Sequence, residues 1–398
     1  MTESAIGADA SASGTARAPE DTRQRFAFLA GDLGDLVRFR SDLVRRLVVS
    51  GYRVILVTPN EDADLLGAVA SFGAEHHKVS LSRTGTNPLQ DLKSVMEMFK
   101  WLRAIRPAAI FAEGAKPIVV GMTAASMLGV RRRYAMLSGL GYAFVDHGDK
   151  SLRRDVVRQS QMLAYRILFA GCRAVVFHNE DDMRLMRKLR IVSESKAWVV
   201  PGSGVDLNAF PAAEAPVTPV RFLFVGRLLR SKGVMELLEA ARLLRLEVPT
   251  AEVHLAGAVD ANPESVDEDD LRRYEATGDV VLHGRVADVR PLLRESSVFV
   301  LPSYREGLPR SALEALSTGR TAILTDAPGC REVVKGEPFG ELVPVRDPAA
   351  LARAMIGYAR DPDRIVSEGR AARRAAEERF DVRLVTAKML EALEVTVV

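Results

Sequence analysis

The chain has 398 residues, 47% apolar and 27% charged, enough to bury large cores in two or more domains, which excludes a single small binding module. Its net charge of +3 hides an asymmetry: residues 21–200 hold 28 Lys and Arg against 18 Asp and Glu, and residues 201–398 hold 26 against 31. The only cysteines, Cys172 and Cys330, stand in apolar surroundings without CxxC or Cys/His spacing, which argues against a disulfide framework or zinc site and points to a reducing compartment.

Residues 1–22 are small and polar, with no period and no secretory pattern, and read as a disordered tail. Short β-rich runs then alternate with amphipathic helical stretches. RFAFLA, YRVILVT, EHHKVSL, AAIFAE, RRYAML, RAVVFHN and AWVVPG are the expected strands of the first half, with helices over Leu36–Ser50 and Pro88–Ile105 among them. The longest apolar region, Pro107–Val130, is broken by Glu113 and Lys116, so no segment is expected to span a bilayer. A Pro-, Gly- and Ala-rich stretch without period, PGSGVDLNAFPAAEAPVTP, marks a junction, after which RFLFVG, AEVHLAG, DVVLHG, SVFVLPS, TAILTD and GELVPV repeat the strand series. The expected fold is α/β: two doubly wound parallel-sheet, Rossmann-like domains facing a cleft that would hold ligands. The expected division is a tail at 1–22, a first domain at 23–200, a linker at 201–219, a second domain at 220–380 and a C-terminal helix at 381–398.

Several segments carry chemistry. AGDLGDL, with Gly31 and Gly34, lacks the third glycine of a dinucleotide fingerprint and reads as a tight strand-to-helix turn on the acceptor side of the cleft. Asn179, Glu180, Asp181 and Asp182 are consecutive at a helix start and cannot all face one ion, so an N-terminal cap is expected instead of a metal site. Arg131 to Arg133, Lys150, Arg153, Arg154, Arg158 and Arg166 form a basic series around a helical pattern. It fits either contact with anionic lipid or a plain amphipathic core helix. In the second half, RFLFVG runs into Gly226, Arg227 and, at a helix start, Lys232: either a diphosphate clamp or two solvated cations beside a routine turn. After SVFVLPS, Glu306 falls in a loop turning at Gly307 and Pro309, the latter in a helix's first turn, and Glu314 on that helix. Such carboxylates accept hydrogen bonds from sugar and ribose hydroxyls, or else are ordinary helix-start glutamates.

GRLLRSKG, HGRVADV and REGLPRSALEALSTGRTAILTDAPGCREVV together resemble the donor domain of the family 4 retaining glycosyltransferases, which have the GT-B fold. The resemblance implies that Arg227 and Lys232 hold the donor diphosphate, Glu306 the sugar and Glu314 the ribose. It also implies that Gly307, Leu308 and Pro309 form the loop against sugar and phosphate, with Gly284, Arg285 and Val286 near the base. Arg227, Lys232 and Glu306 are the expected catalytic residues, with no metal and no cofactor. The first half, through VRFRSDLVRRLVVSGYRVILVTP, SGLGYAF, VVFHNEDD and PGSGVDLNAF, resembles bacterial enzymes that extend sugars on polyprenyl diphosphate carriers. Sister families place a histidine after the strand read here as RRYAML; this chain has Ser138, Gly139, Leu140 and Gly141, and Ser138, Gly139 and Gly141 are taken as acceptor-side positions. His147 and His283 read as surface and packing residues.

The function implied is retaining transfer from a nucleotide sugar, expected to be a UDP-sugar, to a polyprenyl-diphosphate-linked acceptor at the cytoplasmic face of the membrane, with peripheral membrane contact. The rivals are a UDP-sugar 2-epimerase of the same fold and a non-catalytic nucleotide-sugar-binding protein. The basic residues lack interleaved aromatics or a reading motif, so no nucleic-acid partner is expected.

Overall fold

The computed structural model describes residues 23–80, 88–140, 144, 152–260 and 262–396; the expected tail at 1–22, Gly141, His147 and Lys150 lie outside them. In the first half the chain alternates β1 (Arg25–Leu29), α1 (Leu33–Val49), β2 (Arg53–Thr58), α2 (Ala63–Ser71), β3 (Glu75–Lys78), α3 (Pro88–Ile105), β4 (Ala109–Glu113), α4 (Ala115–Met127), β5 (Arg132–Leu137), α5 (Leu152–Ala170), β6 (Ala174–Phe177), α6 (Glu180–Lys188) and β7 (Ala197–Val199). The second half continues with β8 (Arg221–Val225), α7 (Val234–Glu247), β9 (Glu252–Ala256), α8 (Glu268–Ala276), β10 (Val281–Gly284), α9 (Arg290–Glu295), β11 (Val298–Leu301), α10 (Arg310–Ser317), β12 (Thr321–Thr325), α11 (Arg331–Val334), β13 (Glu341–Val343), α12 (Pro348–Arg360), α13 (Pro362–Ala375) and α14 (Val382–Ala392). Every run read as a strand is one.

The first sheet has order β3-β2-β1-β4-β5-β6-β7 and the second β10-β9-β8-β11-β12-β13, with every pairing parallel. Parallel strands are covered on both faces, which explains their continuous apolar runs. In β1, Phe26 and Phe28 feed one core and Ala27 and Leu29 the other, because successive side chains point to opposite faces. In each sheet the order of strand addition reverses once, between β1 and β4 and between β8 and β11. Crevices outside the carboxyl ends of strands at such points are where these folds take ligands.

Two local readings shift. The helix expected from Leu36 starts at Leu33, because the Asp32 side chain caps it by accepting from the Asp35 amide at 2.9 Å. The periodless junction is fastened: buried Arg320, its pKa lowered to about 10 by burial, donates to the carbonyls of Ala213 and Glu214. The C-terminal helix, α14, leaves the second sheet and closes the outer face of the first. Val385, Met389, Leu390, Leu393 and Val395 are buried among α1, α2 and the strands. Arg132 donates to the Glu394 carbonyl at 3.2 Å, and the Tyr134 hydroxyl donates to the Glu394 carboxylate at 3.0 Å. Among the described residues no helix is long and apolar enough to cross a membrane.

Candidate active site

The carboxyl ends of β1, β4, β8 and β9 face one another across a cleft of about 1190 Å³, continuous with a second lobe of about 880 Å³ that reaches the turns after β8 and β11. Gly226 and Arg227 line both lobes. Arg227 is mostly exposed, 3.8 Å from the Asp260 carboxylate. The chain then forms a short 3-10 turn over Arg230–Lys232 and bends into α7 through Gly233, φ +71°. Any side chain there would place its Cβ 2.1 Å from the Pro302 carbonyl, so the close approach of the two turns requires glycine.

That approach decides the site. The Ser231 carbonyl accepts from the Tyr304 amide at 2.9 Å, and the Lys232 ammonium forms an ion pair with the Glu306 carboxylate, both groups largely buried. The Glu306 amide donates to the Pro328 carbonyl at 2.9 Å, fixing the loop. Pro309, expected inside the first turn of the next helix, is instead its N-cap; Pro at this junction still suits an extended residue ahead of the turn. One turn along α10, Glu314 accepts from Arg310 Nε at 2.8 Å, and burial, opposed by Arg310, raises its pKa. The Arg310 guanidinium also lies 4.2 Å from the centre of the Phe39 ring of α1. Arg285 and Val286 line both lobes, and Leu308 and Pro309 the lobe beneath Glu314. Gly284 does not line either lobe; it sits at a register shift in β10, its carbonyl accepting from the Gly257 amide at 2.9 Å. His283 packs on His254, with ring nitrogens 2.9 Å apart.

The opposing wall comes from the first sheet. Gly31 and Ser138 line the cleft, and Gly139 faces Gly307. Gly34 does not reach the cleft: it sits in the first turn of α1 against the Asp32 carboxylate. A Cβ on Gly307 would fall 1.6 Å from the Ser138 carbonyl oxygen, so the loop carrying Glu306 touches the first sheet's wall directly. The Asn179 side chain donates to the Gly307 carbonyl at 2.7 Å while its oxygen caps α6 by accepting from the Asp182 amide at 2.7 Å. Buried Asp182 pairs with Arg305, and Asp181 with Arg331 at 2.8 Å. Burial raises the Asp182 pKa. The acidic run at the start of α6 is thus a cap and a clasp on the loop that carries Glu306.

Sequence reasoning missed a network behind the Ser138 wall. Arg40 of α1 donates through Nε and an amino group to Glu113 at the end of β4, at 2.9 and 3.0 Å, and also meets His178 Nε2 at 3.0 Å. Burial, then the Arg40 charge, push the His178 pKa down to about 3, against the Ser138 backbone, which opposes the shift. The neutral ring accepts from Arg40. Glu113 was visible only as the charge interrupting an apolar run, and nothing local ties it to residues 73 and 65 positions away.

The Glycosyl transferases group 1 family matches residues 219–361, the stretch that supplies the Lys232–Glu306 side of the cleft. Residues 219–361 are thus a group 1 glycosyl transferase domain, and the chain is a glycosyltransferase. It is 28% identical over 323 residues, 78% of this chain and 82% of the relative, to the Campylobacter jejuni N,N'-diacetylbacillosaminyl-diphospho-undecaprenol alpha-1,3-N-acetylgalactosaminyltransferase. It is 28% identical over 292 residues, 67% of this chain and 70% of the relative, to the Escherichia coli UDP-Gal:alpha-D-GlcNAc-diphosphoundecaprenol alpha-1,3-galactosyltransferase. In fold, this glycosyltransferase is similar to the sucrose-phosphate synthase of Thermosynechococcus elongatus (TM-score 0.75, 18% identity, 94% of this chain and 98% of that one). It is similar also to Anabaena HepE in complex with UDP (TM-score 0.72, 18% identity, 93% and 99%). The expected GT-B architecture is therefore the observed one, and the enzyme is a transferase rather than an epimerase.

Proposed function

We propose that this glycosyltransferase moves a sugar, with retention, from a UDP-sugar to the sugar of a polyprenyl-diphosphate-linked acceptor at the cytoplasmic membrane face, without a metal ion. The observation that carries the reading is the Lys232–Glu306 pair beside Gly226 and Arg227, at the carboxyl ends of β8 and β11. The diphosphate lies against Arg227 and Lys232, the donor sugar against Glu306 and Gly307, and the ribose against Glu314. The acceptor hydroxyl attacks C1 from the face the diphosphate leaves. The C1–O bond breaks with its electron pair going to the β-phosphate oxygen, which takes the acceptor's proton, while the two cations offset the charge developing there. The lipid-linked acceptor is supported by the names of the Campylobacter and Escherichia relatives and by their coverage of both halves.

The test incubates the enzyme with a panel of nucleotide sugars and a polyprenyl-diphosphate-linked monosaccharide, reading mass by spectrometry and anomeric configuration by NMR, with and without EDTA. One added hexose or N-acetylhexosamine in the donor's own configuration, formed equally in EDTA, is the expected result. An inverted linkage, or activity lost on chelation and restored by magnesium or manganese, would overturn the corresponding part.

A further inference from the structure

The basic series divides on inspection. Arg132 and Arg133 are structural, bonded to Tyr52 and to the Gly171 and Val130 carbonyls. A denser group of cations surrounds an open recess of about 850 Å³ where the C-terminal ends of α5 and α6 meet the turn that follows α6; two of them serve the fold, Arg166 donating to the Leu189 carbonyl at 2.8 Å and Lys196 to the Ala170 carbonyl at 2.7 Å. Arg166, Arg184, Arg187, Lys188, Arg190 and Lys196 line it, against one carboxylate, Glu194. Arg187 pairs with Glu194 at 2.7 Å, and Arg184 with Glu180. Among the described residues the Lys188 and Arg190 side chains have no partner. Arg190 also holds a left-handed backbone, φ +55°, at a helix end where glycine is the unstrained residue.

Beside the recess, α5 presents an aliphatic stripe against which no described residue packs closely. Val156, Leu163 and Ile167, spaced seven and four apart and so on one helical face, are 67%, 58% and 65% exposed, while Tyr165, Leu168 and Phe169 bury the opposite face. Scattered exposed aliphatics need no explanation, but three aligned on one helix and flanked by cations are the pattern of a helix lying in a bilayer interface.

We propose that α5 and the recess at its C-terminal end dock this enzyme on an anionic bilayer, the stripe entering the acyl boundary and Lys188 and Arg190 meeting lipid phosphates. The choice of a bilayer as occupant rests on the lipid-linked acceptor proposed above. α5 is about 28 Å long, and its N-terminal end follows β5, whose end at Ser138 lines the cleft. A docked α5 therefore runs along the surface toward the cleft, where a lipid-linked sugar must arrive.

The test is co-sedimentation of the full chain, without donor or acceptor, with vesicles of roughly one-third phosphatidylglycerol in phosphatidylcholine, against phosphatidylcholine alone. Binding to the anionic vesicles that weakens with salt is expected. The pair Lys188→Gln and Arg190→Gln should lower partition about tenfold or more, at about fivefold per cation, and Leu163→Ser with Ile167→Ser should lower it comparably. Arg190→Gly removes the charge while relieving the backbone, so it should bind more weakly at an unchanged or higher Tm, which a folding defect does not produce. Equal binding to neutral vesicles, or wild-type partition in either pair, overturns the assignment. So does a concentration-dependent dimer broken by the serine pair in place of vesicle binding, since the stripe then belongs to a second copy. Transfer to a water-soluble acceptor analogue should be unchanged in these variants. Its failure in the wild-type enzyme bears on the proposed reaction, not on docking.

Discussion

Lys232 and Glu306 are each other's partners, so a donor that uses both must divide them: phosphate to the ammonium, a sugar hydroxyl to the carboxylate. Glu306→Gln frees the lysine, and UDP affinity should hold or rise while turnover falls about tenfold or more, the scale of a lost charge-assisted hydrogen bond of about 1.5 to 3 kcal/mol. Glu314→Gln should do the reverse, weakening UDP about tenfold and sparing turnover at saturation. Calorimetric titration with UDP beside initial rates reads both, and wild-type values in both variants would return the pair to structural carboxylates. His178 gives a second residue-scale test. Its folded pKa, about 3, lies below its ordinary 6.5, so the unfolded chain binds the extra proton between those values and stability rises with pH across the window. The contribution is whole above pH 6.5 and is lost as pH falls toward 3, by about 1.4 kcal/mol per unit. Urea titrations at pH 7 and pH 5 should show a smaller loss for His178→Gln, whose amide oxygen still accepts from Arg40.

At the scale of elements, the loop that follows β11 is held from two sides: by its own sheet through the Pro328 carbonyl, and by the start of α6 through Asn179 and Asp182. The Glu306 carboxylate is therefore positioned partly by the other sheet. Gly307→Ala drives a methyl group into the Ser138 carbonyl and should lower turnover tenfold or more while leaving UDP affinity within about twofold, because Arg227 and Glu314 lie outside the contact. Equal loss of UDP affinity and turnover would refute the positioning role. Removing one partner from a buried ion pair costs about 3 to 5 kcal/mol, so Asp182→Asn should register in thermal stability as well. The elements themselves were legible from the sequence, since strands buried on both faces print as unbroken apolar runs between helical periods. The clasp was not. Asn179 and Asp182 announce a cap, but their second partners lie 128 and 123 residues away and are set by how two sheets meet. The Lys232–Glu306 pair, 74 residues apart, was legible as two sites and not as one contact.

For the whole molecule, the cleft is bounded by two sheets, yet only the second matches the family on its own. The first is completed by α14, which the sequence shows as a C-terminal helix at 381–398 with nothing to say which sheet it would cover. Truncation before Val382 removes five buried apolar side chains, whose burial is worth about 1.5 to 3 kcal/mol each, a sum comparable to the stability of a domain. A 23–200 fragment should therefore be insoluble alone and regain a cooperative melt when a peptide spanning residues 381–396 is supplied. Cooperative melting of the fragment without the peptide would show that the helix merely decorates the sheet.

The return of α14 also sets an order of events in synthesis. Chains that emerge from the ribosome ordinarily complete domains from the amino end, but here the first sheet needs residues 385–395, which are made well after it. The nascent first half must wait with the α1 and Tyr134 side of its sheet uncovered until Val395 clears the exit tunnel. Until then the first sheet stays open to aggregation, so a chain stopped before Val382 is expected to fail in the half that was made first.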